Sequence, residues 1–145
     1  MSRSQYDALK LENQLCFPLY AAAREVVKQY RPYLDALDLT YTQYITLMVL
    51  WEQKELTVKA LGERLFLDSG TMTPVLKSLE AKGYVTRKRS EADERSVRVL
   101  LTERGKALQE SAVEIPPKVA DCVGLEPGEA LLLYELLYKI LNRTQ

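Results

Sequence analysis

Two cysteines, Cys16 and Cys122, are the side chains of this 145-residue chain best suited to covalent chemistry, because the sequence contains no histidine. The absence of histidine removes the usual metal sites, the Ser-His-Asp and Cys-His catalytic arrangements, and the commonest general base. Two cysteines this far apart also suit neither a zinc site nor a secreted disulfide framework. We therefore expect no metal, no cofactor and a reducing setting for these thiols.

Cys16 lies early in a segment whose apolar residues recur at helical spacing, and Tyr20 follows it by one turn. A thiol becomes reactive when hydrogen-bond donors or the positive end of a helix stabilise its thiolate. The chain has nine tyrosines against two phenylalanines, and phenolic hydroxyls are donors that enter apolar surroundings at low cost. A lone helical cysteine is more often inert packing, but these two features favour a redox-active Cys16.

A second group of chemically useful side chains lies in a segment that is predicted to be a helix and to end at Gly83. Its hydroxyl and ammonium groups are those of Ser69, Thr71, Thr73 and Lys77. Hydroxyls form hydrogen bonds with bases or phosphates, threonine methyls contact thymine, and a lysine neutralises phosphate. These four residues are therefore candidates for contacts in a DNA major groove.

Alternating apolar residues predict two strands, Tyr84–Arg89 and Ser96–Leu101, on either side of a charged tip. Arg95 in this tip is the candidate minor-groove probe, and Asp93 is placed to hold its guanidinium group. Arg87, in the first strand, is a further candidate for DNA contact. A charged hairpin alone is more often simply solvated, but the helices before this one favour a wing that binds DNA.

Charge is distributed unevenly along a chain whose 20 basic and 20 acidic residues cancel. From Lys82 to Lys106, eight Lys or Arg residues stand against four Asp or Glu, so this stretch is basic and its flanks are acidic. The polar N-terminus does not resemble a signal peptide, and apolar runs such as Leu47–Trp51 are too short to span a membrane. We expect a cytoplasmic protein without a membrane partner.

Helix-capping residues mark where several of the surrounding elements begin. Thr40 and Gln43 form a capping box before a short buried helix, while Thr57 and Thr102 would cap two later helices. The helix after Thr102 is expected to be interrupted or bent at residues 116 and 117, which are both proline. The order of helix, short turn, helix and charged hairpin is that of a winged helix-turn-helix, whose second helix enters the major groove.

The first and last predicted helices, Asp7–Gln29 and Pro127–Asn142, carry apolar faces too broad for lone surface helices. Pro32 is expected to end the first of them. In so small a chain, a second subunit would supply the missing cover. We therefore expect one mainly α (α+β winged helix) domain, residues 1–145, with the winged helix-turn-helix at 40–103 and dimerisation helices at 1–35 and 105–145.

Four stretches of the sequence carry recognisable motifs. They are Leu11-Glu-Asn-Gln-Leu-Cys16-Phe-Pro-Leu-Tyr20, Leu39–Tyr44, Leu67–Pro74 and Arg87–Ser96. With them, essentially the whole chain resembles the organic hydroperoxide resistance regulators of the MarR family. The Asp93-x-Arg95 wing is typical of the whole family, whereas the segment around Cys16 is specific to its peroxide-sensing branch. Pro18 departs from that branch, where the position is usually small or aliphatic, and we expect it to bend the first helix.

The resemblance implies an obligate homodimer that binds double-stranded DNA and represses a peroxidase gene until an organic hydroperoxide oxidises Cys16. It also implies that Tyr30 and Tyr41 of the partner subunit donate hydrogen bonds to the Cys16 thiolate. Cys122 matches the resolving cysteine of the two-cysteine members of the family. Oxidation would then form a disulfide between subunits and release the operator.

Two other functions would use the same residues. In a thiol peroxidase, Cys16 would turn over, but nothing in the sequence resembles a thioredoxin-type βαβ unit, so we expect the chain not to be an enzyme. In a repressor released by an aromatic ligand, Cys16 would only pack, and tyrosine-lined clefts at a helical dimer interface would bind the ligand. Operator binding after treatment with an organic hydroperoxide, and then with phenolic ligands, distinguishes these functions.

Overall fold

Seven α-helices and three short strands occur in the part of the chain that the computed structural model describes, residues 4–89, 91 and 96–143. The helices are α1 (Cys16–Asp35), α2 (Tyr41–Gln53), α3 (Val58–Leu65), α4 (Ser69–Ala81), α5 (Glu103–Ala112), α6 (Ile115–Val123) and α7 (Pro127–Arg143). The strands are β1 (Glu55–Thr57), β2 (Val85–Arg89) and β3 (Val97–Leu101). This is the mainly α class with a small sheet that the sequence predicted. The chain forms two compact units, one up to Ile115 and one from Pro116 onward.

The predicted helix caps are present in the first unit. Thr40 Oγ1 accepts a hydrogen bond from the Gln43 amide at 3.2 Å, and Gln43 Oε1 accepts one from the Thr40 amide at 3.1 Å, which completes the capping box. Thr57 and Thr102 each accept a hydrogen bond at 3.0 Å from the amide three residues further on. Each such cap stabilises its helix by about 1 kcal/mol. Short-range signals therefore fix where α2, α3 and α5 begin.

The first helix begins later than its apolar pattern predicted, at Cys16 and not at Asp7. Two short 3-10 turns precede it instead. Asn13 Nδ2 donates to the Asp7 carbonyl oxygen at 2.7 Å. Gln14 Nε2 donates to the carbonyl oxygens of Ala8 at 2.6 Å and Lys10 at 2.8 Å. These side chains occupy carbonyls that a continuous α-helix would use itself, so the segment forms tight turns without extending α1.

Two prolines lie in α1, and the helix continues past both of them. Pro18 is the third residue, in the first turn, where amides have no acceptor inside the helix, so its ring removes no hydrogen bond and does not require a bend. Pro32 lies inside the helix, which continues to Asp35 instead of ending. Pro32 costs this last turn one backbone bond, and the burial of Leu34 offsets that loss.

The predicted interruption after α5 is present. α5 ends at Ala112 and α6 begins at Ile115, so prolines 116 and 117 lie in the first turn of α6. Proline is favoured in a first turn because the amides there need no acceptor within the helix. The last helix follows the predicted range closely and ends at Arg143.

The three strands form one antiparallel sheet in the order β1-β3-β2. At the centre of β3, Val99 pairs with Leu56 on one side and with Arg87 on the other. Strands β2 and β3 are those of the predicted hairpin, whereas β1 was missed. Three residues are too few to show an alternating pattern, and β1 is set up by Lys54, whose φ of 66° turns the chain out of α2.

The core of the first unit lies where α2, α3 and α4 pack with the sheet. Its fully buried side chains include Leu47, Leu50, Leu61, Met72, Leu76, Leu79 and Val99. Two glycines allow close backbone contacts around this core. A Cβ atom on Gly62 would lie 2.6 Å from the Leu67 carbonyl oxygen, and one on Gly105 would lie 2.3 Å from the Tyr84 carbonyl oxygen. The turn that follows α3 is therefore packed too tightly for any larger residue at position 62.

The unit from Pro116 onward consists mostly of α7, whose large apolar side chains are exposed in the single chain. Leu131 and Tyr134 are each 60% exposed, and the rings of Tyr134 and Tyr138 lie 4.8 Å apart. Within the described ranges, no helix is long and apolar enough to cross a membrane. A helix with this much exposed apolar surface is typical of a protein–protein interface.

Candidate DNA-binding surface and thiol sites

Helices α3 and α4 form a helix-turn-helix whose turn is closed by backbone contacts. Phe66 ends α3 in the left-handed conformation, with a φ of 57°, and the Leu67 amide donates to the Gly62 carbonyl oxygen at 2.9 Å. Asp68 then caps α4, because its Oδ1 accepts a hydrogen bond from the Thr71 amide at 2.7 Å. This bond and a second one from the Thr71 side chain lower the pKa of Asp68. The sequence placed a turn here without identifying Asp68 as the cap.

Most of the predicted DNA-contacting residues of α4 are exposed, whereas its core side is buried. Met72, Leu76 and Leu79 are buried. Ser69, Thr71 and Lys77 are exposed, and Thr73 is half-buried. Thr73 Oγ1 donates to the Ser69 carbonyl oxygen at 2.8 Å, so its oxygen remains an acceptor and its methyl group remains an apolar contact. The arrangement is that of a reading helix with one buried and one open side.

Pro74 does not delay the start of α4, although it lies inside the helix. An interior proline removes one backbone hydrogen bond of its helix. Regular helix begins at Ser69, directly after the Asp68 cap. The cap and the buried side chains of α4 thus outweigh the lost bond.

Arg87 joins the hairpin to the end of α4. Its backbone amide donates to Glu80 Oε2 and its Nη2 donates to Glu80 Oε1, both at 3.0 Å. The side-chain bond from Arg87, followed by the backbone bond, lowers the pKa of Glu80. Arg87 Nε is buried and has no hydrogen-bond partner among the described residues. Glu80, which the sequence did not single out, therefore fixes the predicted DNA-contacting residue Arg87 against the reading helix.

The tip of the predicted wing, with Asp93 and Arg95, lies outside the residues that the structure describes. The two strands that support the tip are present, and Lys88 and Arg89 at the end of β2 are exposed cations. On the neighbouring strand, Arg98 Nη2 lies 3.1 Å from Glu55 Oε1 of β1. The described part of the hairpin is therefore basic on β2 and charge-paired towards β1.

Cys16 is exposed and is the first residue of α1, at the positive end of the helix dipole. The residue before it, Leu15, provides no side-chain cap for the helix. Tyr20 lies one turn further on, and the guanidinium carbon of Arg24 lies 5.5 Å from the centre of its ring. The thiol is thus exposed at a helix N-terminus, a position that the sequence did not predict because it began this helix at Asp7.

Tyr30 and Tyr41, predicted to donate to the Cys16 thiolate, are close to each other in the single chain. Their ring centres are 5.0 Å apart, and the ring of Tyr44 lies 5.8 Å from Tyr30 and 6.3 Å from Tyr41. Burial raises the pKa of Tyr30 and that of Tyr41, and it raises the pKa of Tyr44 to about 12. All three hydroxyls therefore keep their protons at neutral pH and can donate them in hydrogen bonds.

The helix itself separates Cys16 from this tyrosine cluster within one chain. Tyr30 follows Cys16 by fourteen positions in α1, and a rise of 1.5 Å per residue places the two residues roughly 20 Å apart along the axis. Tyr44 was missed by the sequence reasoning, although it follows Tyr41 by three residues on α2, where side chains share a face. The cluster therefore cannot donate to the thiol of its own chain.

Cys122 is exposed on α6, in the unit that begins at Pro116. Its Sγ donates to the Lys118 carbonyl oxygen at 3.4 Å, as helical cysteines often do. Within the described ranges, no three His, Cys, Asp or Glu side chains are grouped so as to hold a metal ion. The two cysteines are both free thiols in this structure.

Comparisons with known proteins find relatives both of the helix-turn-helix region and of nearly the whole chain. The model of the transcriptional regulator SarA/Rot family matches residues 28–111, which include the whole helix-turn-helix. The organic hydroperoxide resistance transcriptional regulator of Bacillus subtilis (strain 168) is 54% identical over 140 residues, which cover 96% of this chain and 95% of that protein. Such an extent of identity covers the segments of both cysteines.

Solved structures show the same fold. Reduced AbfR bound to DNA has a TM-score of 0.79 and 34% sequence identity to this chain, and covers 97% of this chain and 99% of that one. Disulfide-formed AbfR has a TM-score of 0.67 at 34% identity, with coverages of 94% and 96%. AbfR comes from Staphylococcus epidermidis. The matched proteins are transcriptional regulators and not enzymes. This chain thus belongs to the MarR-family transcriptional regulators, in the group of the organic hydroperoxide resistance regulators.

Proposed function

We propose that this regulator is a homodimeric repressor that releases its operator when an organic hydroperoxide oxidises Cys16. The observation that carries this proposal is the exposed thiol of Cys16 at the first residue of α1, in a chain with a complete helix-turn-helix. A helix N-terminus stabilises a thiolate, and exposure gives a peroxide access to it. Because its target is DNA, the proposed repressor acts in the cytoplasm.

The exposed apolar surfaces support a second copy of the chain as the partner. On α1, Tyr20 is 60% exposed and Leu15, which precedes the helix, is 81% exposed. On α7, large apolar side chains are exposed along most of the helix. Tyr30 lies too far from Cys16 of its own chain to donate to it, so the donor role that the resemblance implies for Tyr30 and Tyr41 requires a second chain. We place the dimerisation helices at residues 1–35 and 105–145 of one 145-residue domain.

A dimer presents two reading helices, so we expect a pseudo-palindromic operator. Half-sites would lie about one helical turn (~10 bp) apart, which brings both α4 helices to the same face of the DNA. Ser69, Thr71, Thr73 and Lys77 would enter the major groove, while Arg95, held by Asp93, would enter the minor groove. Arg87 would support the wing from its base. Footprinting tests this arrangement, and protection of a single isolated half-site would contradict it.

Lys77→Ala is expected to reduce the salt dependence of operator binding by about one counterion per subunit. Lys77 is exposed on the open side of α4, and an ammonium group there would neutralise one phosphate. The slope of log Kd against log salt concentration measures this effect. Lys106→Ala is the matched control, because Lys106 pairs with Glu103 on α5 at 3.0 Å. Equal slopes for wild type and Lys77→Ala would remove Lys77 from the DNA interface.

The proposed redox reaction balances with the two cysteines and one peroxide. The Cys16 thiolate attacks the outer oxygen of the hydroperoxide, the S–O bond forms, the O–O bond breaks, and the alkoxide leaves as an alcohol after taking a proton. The resulting sulfenic acid then condenses with the thiol of Cys122 of the partner subunit, which forms an S–S bond and releases water. In total the peroxide is reduced by two electrons and the two thiols are oxidised to one disulfide.

Tyr41→Phe and Tyr30→Phe are each expected to slow the alkylation and the oxidation of the Cys16 thiol at neutral pH. Each change removes one hydrogen-bond donor to the thiolate and keeps the ring that packs in the tyrosine cluster. Alkylation and oxidation rates of Cys16 at neutral pH measure this effect. Tyr84→Phe is the control, because Tyr84 lies beside β2 and its ring contacts Arg104 instead. If neither cluster variant slows these rates, the thiolate has other donors.

A further inference from the structure

The side-chain amide of the buried residue Gln43 forms more hydrogen bonds than helix capping requires. Gln43 is 6% exposed in the first turn of α2, and its Oε1 accepts the capping-box bond from the Thr40 amide. The same oxygen accepts a second bond from Lys82 Nζ at 3.1 Å. Gln43 Nε2 donates to Ser78 Oγ at 2.9 Å. One side chain therefore caps α2 and binds two residues at the end of α4.

Lys82 extends this network to the corner between α1 and α2. It is the C-cap residue of α4, and its Nζ also donates to the carbonyl oxygen of Asp38. Asp38 has a left-handed backbone with a φ of 54°, which turns the chain from α1 towards α2. The Asp38 carboxylate lies 3.7 Å from the same ammonium group. The end of the reading helix is thus attached both to this corner and to the first turn of α2.

The same turn of α2 carries the tyrosine cluster. Tyr41 precedes Gln43 by two residues and Tyr44 follows it directly, and both rings pack against Tyr30 of α1. Since the turn is helical and capped, a displacement of these rings displaces Gln43 with them. On the other side of the amide, Ser78 follows Lys77 of the reading surface directly. The network therefore spans the whole distance from the tyrosine cluster to the reading helix.

We infer that Gln43 is the positioning residue that couples the tyrosine cluster to the reading helix α4, through Ser78 and Lys82. The signal that it transmits is the redox state of Cys16 of the partner subunit, which the cluster contacts in the proposed dimer. Gln43 is not among the residues proposed to contact the thiol or DNA; it acts through Ser78 and Lys82, which it binds at the end of α4. If α4 separated from the first turn of α2, each buried polar group left without a partner would cost its full desolvation penalty. The end of α4 is therefore expected to move together with this turn. This inference rests on the proposed function, because it requires that oxidation of Cys16 lowers DNA affinity.

The test compares the affinity of reduced and fully oxidised protein for one operator duplex. Gln43→Met keeps the length of the side chain and removes all its hydrogen bonds, whereas Ser78→Ala removes only the bond to Ser78 Oγ. Gln53→Met, at the exposed end of α2, is the matched control. We expect the ratio of oxidised to reduced Kd to fall roughly fivefold or more in both network variants and to stay at the wild-type value in the control. The rate of Cys16 oxidation should be unchanged in all three.

Two results would overturn the inference. One is an unchanged ratio in both network variants, including the case in which both affinities weaken equally, because the network would then only support the fold. The other is a ratio that falls only because Cys16 no longer oxidises, which would place Gln43 in the thiol site. A wild-type protein that keeps its DNA when fully oxidised contradicts the proposed function itself, so the two failures are distinguishable.

Discussion

Cys16→Ser is expected to bind the operator like the reduced wild type and to ignore organic hydroperoxide completely. Serine preserves size at the exposed first residue of α1, but its hydroxyl neither ionises near neutral pH nor accepts oxygen from a peroxide. After one equivalent of an alkyl hydroperoxide, we expect wild-type affinity to fall by about 5- to 150-fold and the variant to show no change. Fluorescence anisotropy of a labelled operator duplex measures both.

Two controls accompany the Cys16→Ser experiment. The alcohol product of the hydroperoxide should leave wild-type binding to DNA unchanged. This control excludes release of DNA by non-covalent binding of the organic group. Met48→Leu removes an exposed and oxidisable thioether and should respond like wild type. If Cys16→Ser releases DNA on oxidation as the wild type does, the sensing group lies elsewhere in the chain.

Cys122→Ser is expected to prevent the covalent dimer and to drive Cys16 to irreversible over-oxidation. A sulfenic acid that finds no thiol remains open to a second peroxide, which converts it to a sulfinic acid. Cys122 is exposed on α6, and its Sγ donates to the Lys118 carbonyl oxygen, a bond that is readily given up. A non-reducing gel after one equivalent of hydroperoxide should show a dimer for wild type only, and mass spectrometry should show the sulfinic acid in the variant.

The geometry of a disulfide makes the Cys122 prediction a statement about motion as well. The two Cα atoms must come within roughly 7 Å, so any greater separation in the reduced dimer requires the helices to move. Such movement would reorient the reading helices α4 of the two subunits and release the operator. Reduction by a thiol should restore both the monomer band and DNA binding. A rapid, reducible dimer of Cys122→Ser would instead point to a bond between the two copies of Cys16.

Local signals explain which parts of the fold were predictable. Thr40, Thr57 and Thr102 cap helices through bonds that reach only three residues, so the sequence shows them directly. The two strands of the hairpin are long enough to show alternation, whereas the three residues of β1 are not. The start of α1 was wrong because apolar spacing continues before Cys16, while side-chain bonds from Asn13 and Gln14 decide the backbone there.

Contacts between distant residues explain what the sequence could not show of the sites. Gln43 was predicted only as part of a capping box, and its partners Ser78 and Lys82 lie 35 and 39 residues away. The binding of Arg87 by Glu80 likewise depends on how β2 folds back onto α4. Chain spacing carries no signal for such pairings, because they follow from packing of the core. Cys16 was identifiable because the chemistry of a thiol belongs to the residue itself, although its place at the helix N-terminus was not predicted.

The most direct test of the account is operator binding by wild-type protein during a titration with organic hydroperoxide, followed by the same titration with phenolic ligands. We expect one equivalent of hydroperoxide per Cys16 to release the DNA, thiol reductant to restore binding, and phenolic ligands to have no effect. Retention of DNA with Cys16 oxidised, or release by a phenolic ligand with Cys16 still reduced, would contradict redox control by this thiol.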